Sequence, residues 1–180
     1  MLTSFQVQKL SYEFGLYDAN QNGFVEKHDI EIIAKRLVAN SPYENTSAEG
    51  QKLFAKVMQI WDVLTGGHDE HRRVPLTEWL KNQELALASP EGYKEANESF
   101  AEMFFELFDT DKDGKLSKSE YRNILVAFNV HTDRLDGSFT KMDLNQDGYL
   151  TKDEILQLTY EYYYSEDPNA AGNWLYGGLN

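Results

Sequence analysis

The chain contains no cysteine, which excludes a disulfide framework, thiolate catalysis and a cysteine-based zinc site. No apolar run approaches the roughly 18 residues that a membrane-spanning helix needs, and the opening MLTSFQVQKLSYEF lacks a basic segment followed by an apolar block. The expectation is a chain without a membrane span that stays where it is made, in the cytoplasm. Basic residues are scarce: 17 Lys and Arg face 30 Asp and Glu, and the net charge of −13 argues against a nucleic-acid partner and suits a binder of cations. Methionines number four, few for the methionine-rich surfaces that adapt to target helices. Neither a nucleophile–base signature nor a phosphate loop is present, so an enzymatic reading has no support.

What is present is enough for a core. With 180 residues and 41% hydrophobic content, the chain fits one compact domain or two joined lobes of about 80 residues each. Its most specific stretch is Asp109–Glu120, DTDKDGKLSKSE. Asp109, Asp111 and Asp113 fall at loop positions 1, 3 and 5, where alternate side chains reach one ion, and Gly114 allows the turn at position 6. Lys115 offers its carbonyl at position 7, Ser117 stands at position 9, and Glu120 brings both carboxylate oxygens at position 12. This is the pattern of an EF-hand calcium loop.

Two further matches follow the same rule. Asp143–Glu154 supplies Asp143, Asn145, Asp147, Gly148, the Tyr149 carbonyl, Thr151 and Glu154. Asp18–Asp29 supplies Asp18, Asn20, Asn22, Gly23, the Phe24 carbonyl and Glu26, but closes with Asp29. That shorter carboxylate favours a smaller, octahedral ion and predicts magnesium competition at this loop. Gathering three or four carboxylates per loop predicts repulsion without an ion and strong coupling of binding to folding.

A fourth stretch, GHDEHRRVPLTE, keeps only Val74 at position 8 and Glu78 at position 12. Gly67, Asp69, His71 and Arg72 stand where ligands and the turn glycine belong, so a vestigial hand without an ion is expected. His68 and His71 fall short of a zinc or copper site because no third ligand accompanies them. The loops lie between amphipathic segments carrying, among others, Leu10, Phe14 and Tyr17; Ile30, Ile33 and Leu37; Leu53, Val57 and Trp61; Phe100, Phe104 and Leu107; and Ile155, Leu158 and Tyr162. Thr46 with Glu49, and Ser117 with Glu120, are candidate capping boxes; Gly66-Gly67 should stop the third helix, and the last should run to Asp167-Pro168. Hands occur in pairs because one alone exposes its apolar face, so Val25 should bridge to Val74 and Leu116 to Leu150.

Taken together, the four loops, with the second defective and the first closed by Asp29, resemble the sarcoplasmic calcium-binding protein family and its calerythrin-type relatives; photoproteins and luciferin-binding proteins share that architecture and an ending like Asp167-Pro168 then Leu175-Tyr176-Gly177-Gly178. The resemblance implies an all-α fold: two EF-hand pairs, residues 1–88 and 89–167, packed as one compact globule with short β-bridges and closed by a tail over 168–180. It implies a monomeric cytosolic calcium buffer with three ions. A sensor exposing a surface to a protein target is the alternative, and a luciferin-like carrier of an apolar small molecule a further one. The positions at which photoproteins hold their oxidised luciferin correspond to Thr159, Tyr163 and Tyr176; the histidine and tryptophan are absent, so light emission is not expected. With 10 Phe, 3 Trp and 11 Tyr, the aromatic interior either fills itself or admits a ligand.

Overall fold

Several of the helices that enter and leave the loops begin at a side-chain cap. The computed structural model describes residues 1–65 and 69–179. Helix α1 (Ser4–Tyr17) begins where Thr3 and Gln6 exchange side-chain and backbone hydrogen bonds, and it delivers Asp18 to the first loop. Strand β1 (Phe24–Val25) and helix α2 (Lys27–Ala39) follow. Helix α3 (Ala48–Thr65) starts one residue later than the Thr46 expectation: Ser47 Oγ accepts the Gly50 N–H at 3.0 Å, so the cap is Ser47. The helix stop at Gly66-Gly67, the loop position of Gly67 and the His68 half of the histidine pair lie outside the described residues. Strand β2 (Val74–Pro75) and helix α4 (Leu76–Leu87) complete the second hand.

The second half repeats this order with α5 (Pro90–Phe108), β3 (Lys115–Ser117), α6 (Lys118–Ala127), α7 (Leu135–Met142), β4 (Tyr149–Thr151) and α8 (Lys152–Tyr164). A short 3-10 turn, Thr132–Arg134, leads into α7. Helix α8 stops before Asp167-Pro168. Lys9 Nζ donates to the Ser165 carbonyl at 2.7 Å and Gln6 Nε2 to the Tyr163 carbonyl at 3.0 Å, so side chains of α1 satisfy the last turn and end it.

Both expected bridges form. Val25 pairs with Val74 and Phe24 with Pro75; Leu116 pairs with Leu150, flanked by Lys115–Thr151 and Ser117–Tyr149. Both pairings are antiparallel, and their central apolar residues are buried. Among the described residues the fold is thus all-α apart from two two-stranded ladders.

One core joins the halves. Helix α1 lies against α4 and α8, and α2 against α3 and α6. Tyr17 meets Trp79 of α4 at 5.4 Å between ring centroids and Phe128, just beyond α6, at 5.3 Å. The tail completes this packing: Leu175 and Tyr176 are buried, Tyr176 rests on Tyr162 and Phe128, and Tyr12 Oη donates to the Tyr176 carbonyl at 2.9 Å. Tyr121 Oη ties the same segment down by donating to the Trp174 carbonyl at 3.0 Å.

Candidate metal centres

The three matching loops share one backbone path. Gly23, Gly114 and Gly148 at position 6 have φ of 86°, 82° and 85°, a region open to glycine at little cost. Gln21, Lys112 and Gln146 at position 4 are also left-handed, at 60°, 62° and 61°. Holding a non-glycine residue there is unfavourable, and the surrounding hydrogen bonds must enforce it.

Those bonds come from the acidic side chains. At position 1, Asp18, Asp109 and Asp143 each accept the N–H of position 5 through one oxygen and of position 6 through the other, over 2.8–3.2 Å. At position 3, Asn20, Asp111 and Asn145 accept the position 5 N–H, and Asn22, Asp113 and Asp147 accept that of position 7. The loop thereby points its oxygens inward while binding its own amides.

The position 12 residues close each loop from below. Glu120 Oε1 accepts the Thr110 N–H at 2.7 Å, and Oε2 accepts the Ser117 N–H at 2.9 Å and hydroxyl at 2.8 Å. Glu154 repeats this with Leu144 at 3.0 Å and Thr151 at 2.8 Å. Asp29, one methylene shorter, accepts Asn20 N–H at 3.0 Å and Glu26 N–H at 2.9 Å. Ser117 and Thr151 are also the N-caps of α6 and α8, so one carboxylate both closes a loop and starts a helix. Thr110, whose hydroxyl also donates to Glu120 at 2.9 Å, was invisible to motif reading because position 2 carries no ligand.

Electrostatics fit a cation. Carboxylate oxygens of Asp109, Asp111 and Glu120 lie within 4.8 Å of one another, a donor set of hard oxygens suited to calcium. Burial pushes Glu120 up, but the donors of Ser117 and Thr110 outweigh it and hold the carboxyl below its ordinary value. At Asp29 burial wins: its carboxyl is held above the ordinary value despite the Glu26 and Asn20 amides, with Asp18 and Glu26 adding repulsion.

The second loop is wired differently. Arg72 donates from Nη2 to Glu78 Oε1 and from Nη1 to the Thr65 carbonyl at 3.1 Å. The residue at position 6 therefore neutralises the residue at position 12, and it caps the end of α3 as well. Arg73 reaches the other way and donates from Nε to Glu26 Oε1 of the first loop at 2.7 Å. Ligand counting registers Arg72 as a lost turn glycine and gives Arg73 no role; the partner of Arg73 follows from the ladder register.

The interior holds a second polar feature. Tyr163 Oη donates to Glu13 Oε1 at 2.6 Å, while Glu13 Oε2 and Tyr176 Oη, both buried, have no hydrogen-bond partner among the described residues. Burial lifts the Glu13 carboxyl to about 7 against the pull of the Tyr163 hydroxyl. Thr159 is spent on its own helix, donating to the Ile155 carbonyl at 2.7 Å. The apolar gap between the halves, lined by Tyr17, Ile33, Phe104, Phe128 and Tyr176 among others, has a volume of about 20 Å³.

Comparison with known proteins agrees with this geometry. Residues 97–160 match the model of the EF-hand domain pair. The luciferin-binding protein of Renilla reniformis is 24% identical over 179 residues, 98% of this chain and 95% of that protein. The sarcoplasmic calcium-binding protein of Hediste diversicolor is 24% identical over 115 residues, 64% of each. Among solved structures, the calcium-loaded apo form of the coelenterazine-binding protein from Renilla muelleri superposes with a TM-score of 0.83 at 24% identity, covering 99% of this chain and 100% of that one. Residues 97–160 thus correspond to an EF-hand domain pair, in a chain that is similar over nearly its whole length to luciferin-binding protein, over part of it to sarcoplasmic calcium-binding protein, and in fold to the photoprotein aequorin.

Proposed function

We propose that the chain is a calcium buffer of the sarcoplasmic type, taking up one ion in each of the loops Asp18–Asp29, Asp109–Glu120 and Asp143–Glu154. The ligands are the side chains at positions 1, 3, 5, 9 and 12, namely Asp18, Asn20, Asn22, Glu26 and Asp29; Asp109, Asp111, Asp113, Ser117 and Glu120; Asp143, Asn145, Asp147, Thr151 and Glu154, with the carbonyls of Phe24, Lys115 and Tyr149. Calcium, when bound, supplies the positive charge that offsets the repulsion of these carboxylates. The protein's part is to hold them converged, and magnesium competes most at the loop closed by Asp29.

The observation that carries the reading is the state of the interior. The position 12 carboxylates already sit on both flanks of their loops, and Leu175 and Tyr176 cover the apolar centre. A sensor needs a groove that opens on binding; here the tail occupies it. A hydrophobic dye titrated with calcium tests this: fluorescence that falls or stays flat supports a buffer, and a large calcium-induced rise overturns it in favour of a sensor.

The partnerless oxygens of Glu13 and Tyr176 favour one second reading, a carrier of a small molecule with polar edges. Against about 20 Å³ of interior space stand the several hundred Å³ that such a ligand fills, so a carrier requires the aromatic core to open.

A further inference from the structure

The first loop differs from the other two at position 9. Ser117 and Thr151 turn their hydroxyls to the carboxylates of their own loops, Glu120 and Glu154. Glu26 instead divides its oxygens: Oε1 accepts Arg73 Nε of the second loop at 2.7 Å, and Oε2 accepts Asn22 Nδ2 of its own loop at 2.6 Å. The ladder explains the contact. With Phe24 opposite Pro75 and Val25 opposite Val74, Glu26 falls opposite Arg73, and Phe24 shares its face because side chains repeat every second residue. Accordingly the Arg73 guanidinium lies over the Phe24 ring, its Cζ 3.9 Å from the centroid. One residue of the second loop thus touches positions 7 and 9 of the first.

We propose that Arg73 is an affinity-setting residue of the first calcium site, a tethered counter-cation that holds Glu26 toward the second loop and lowers the effective negative charge offered to the ion. This rests on the first loop binding calcium. Affinity in such loops follows ligand charge. An ion recruiting Glu26 competes with a guanidinium that is already oriented by stacking, and it also meets that group's repulsion. The second loop therefore acts on calcium without holding it: Arg72 closes its own loop, and Arg73 restrains its neighbour's.

The test is a chelator-buffered calcium titration of the ¹⁵N-labelled full chain, followed at the amides of Gly23, Gly114 and Gly148, each of which donates to the position 1 carboxylate of one loop. Arg73→Gln should lower the calcium midpoint at Gly23 by about two- to fivefold, the size of a partly exposed ion pair. It should leave Gly114 and Gly148 unmoved. Arg73→Lys, which keeps the charge, should stay nearer the wild type, and in a Glu26→Gln background Arg73→Gln should lower the midpoint by less, leaving only the loss of direct repulsion. A merely structural arginine would raise the midpoint on removal, so an unchanged or raised midpoint at Gly23 overturns the proposal. A Gly23 amide that never responds, in wild type or variant, removes the first site itself and the proposal with it.

Discussion

The Arg72 guanidinium donates to the Glu78 carboxylate across the second loop, joining position 6 to position 12. A fixed positive charge on the chain meets the acid that in the other loops faces the ligand cluster. Arg72→Ala should therefore cost about 1 kcal/mol in urea denaturation, combining a half-exposed ion pair with a lost cap on α3. It should not add a calcium ion, because Asp69 and His71 still fail to supply the ligand set.

Glu120 is held from both sides, by Thr110 and by Ser117. Glu120→Gln removes the charge and one of two equivalent oxygens from the 109–120 loop. Loss of a partner outside the ligand set typically weakens a metal site 10- to 100-fold, so loss of the bidentate carboxylate should weaken this one by more than about 100-fold in calcium titration. Wild-type affinity would contradict the ligand assignment.

Much of this was legible in the sequence. The spacing of Asp109, Asp111, Asp113 and Glu120 dictates a loop whatever surrounds it, and the position 8 residues Val25, Val74, Leu116 and Leu150 are apolar because they pair, which the ladders show. The misplaced cap at Thr46 and the overlong last helix have a common cause. Several adjacent residues satisfy the local rule, and the choice is made by tertiary partners such as Lys9 on Ser165. Arg73 on Glu26 and Tyr163 on Glu13 join residues 47 and 150 apart, with no periodicity to announce them.

Glu13 predicts a distinctive pH dependence. Its carboxyl titrates near 7 in the fold and near 4.5 when unfolded, so between these values the native state keeps a proton that the unfolded chain has released. That contribution is favourable at low pH, declines as pH rises through 4.5 to 7, and leaves a full penalty above. Glu13→Gln, which still accepts the Tyr163 hydroxyl, should match wild type near pH 4 and exceed it by about 3 kcal/mol at pH 8 in denaturant unfolding. Equal stability at both pH values would contradict this.

The tail is expected to be structural. Leu175 is fully buried in the core, and Leu175→Ala should cost about 2–5 kcal/mol by opening a cavity. Because the same segment covers the apolar centre, the variant should also bind more hydrophobic dye at saturating calcium. A stability loss without added dye binding would mean that Leu175 fills space without closing the interior.

Three loops are proposed to take ions, while the loop before Glu78 is closed by its own arginine. Calcium stoichiometry of the full chain, by titration calorimetry after chelator treatment, tests this most directly. Three ions are predicted, with magnesium displacing calcium first from the Asp18–Asp29 loop; two ions, or a fourth ion bound near Asp69, would contradict it.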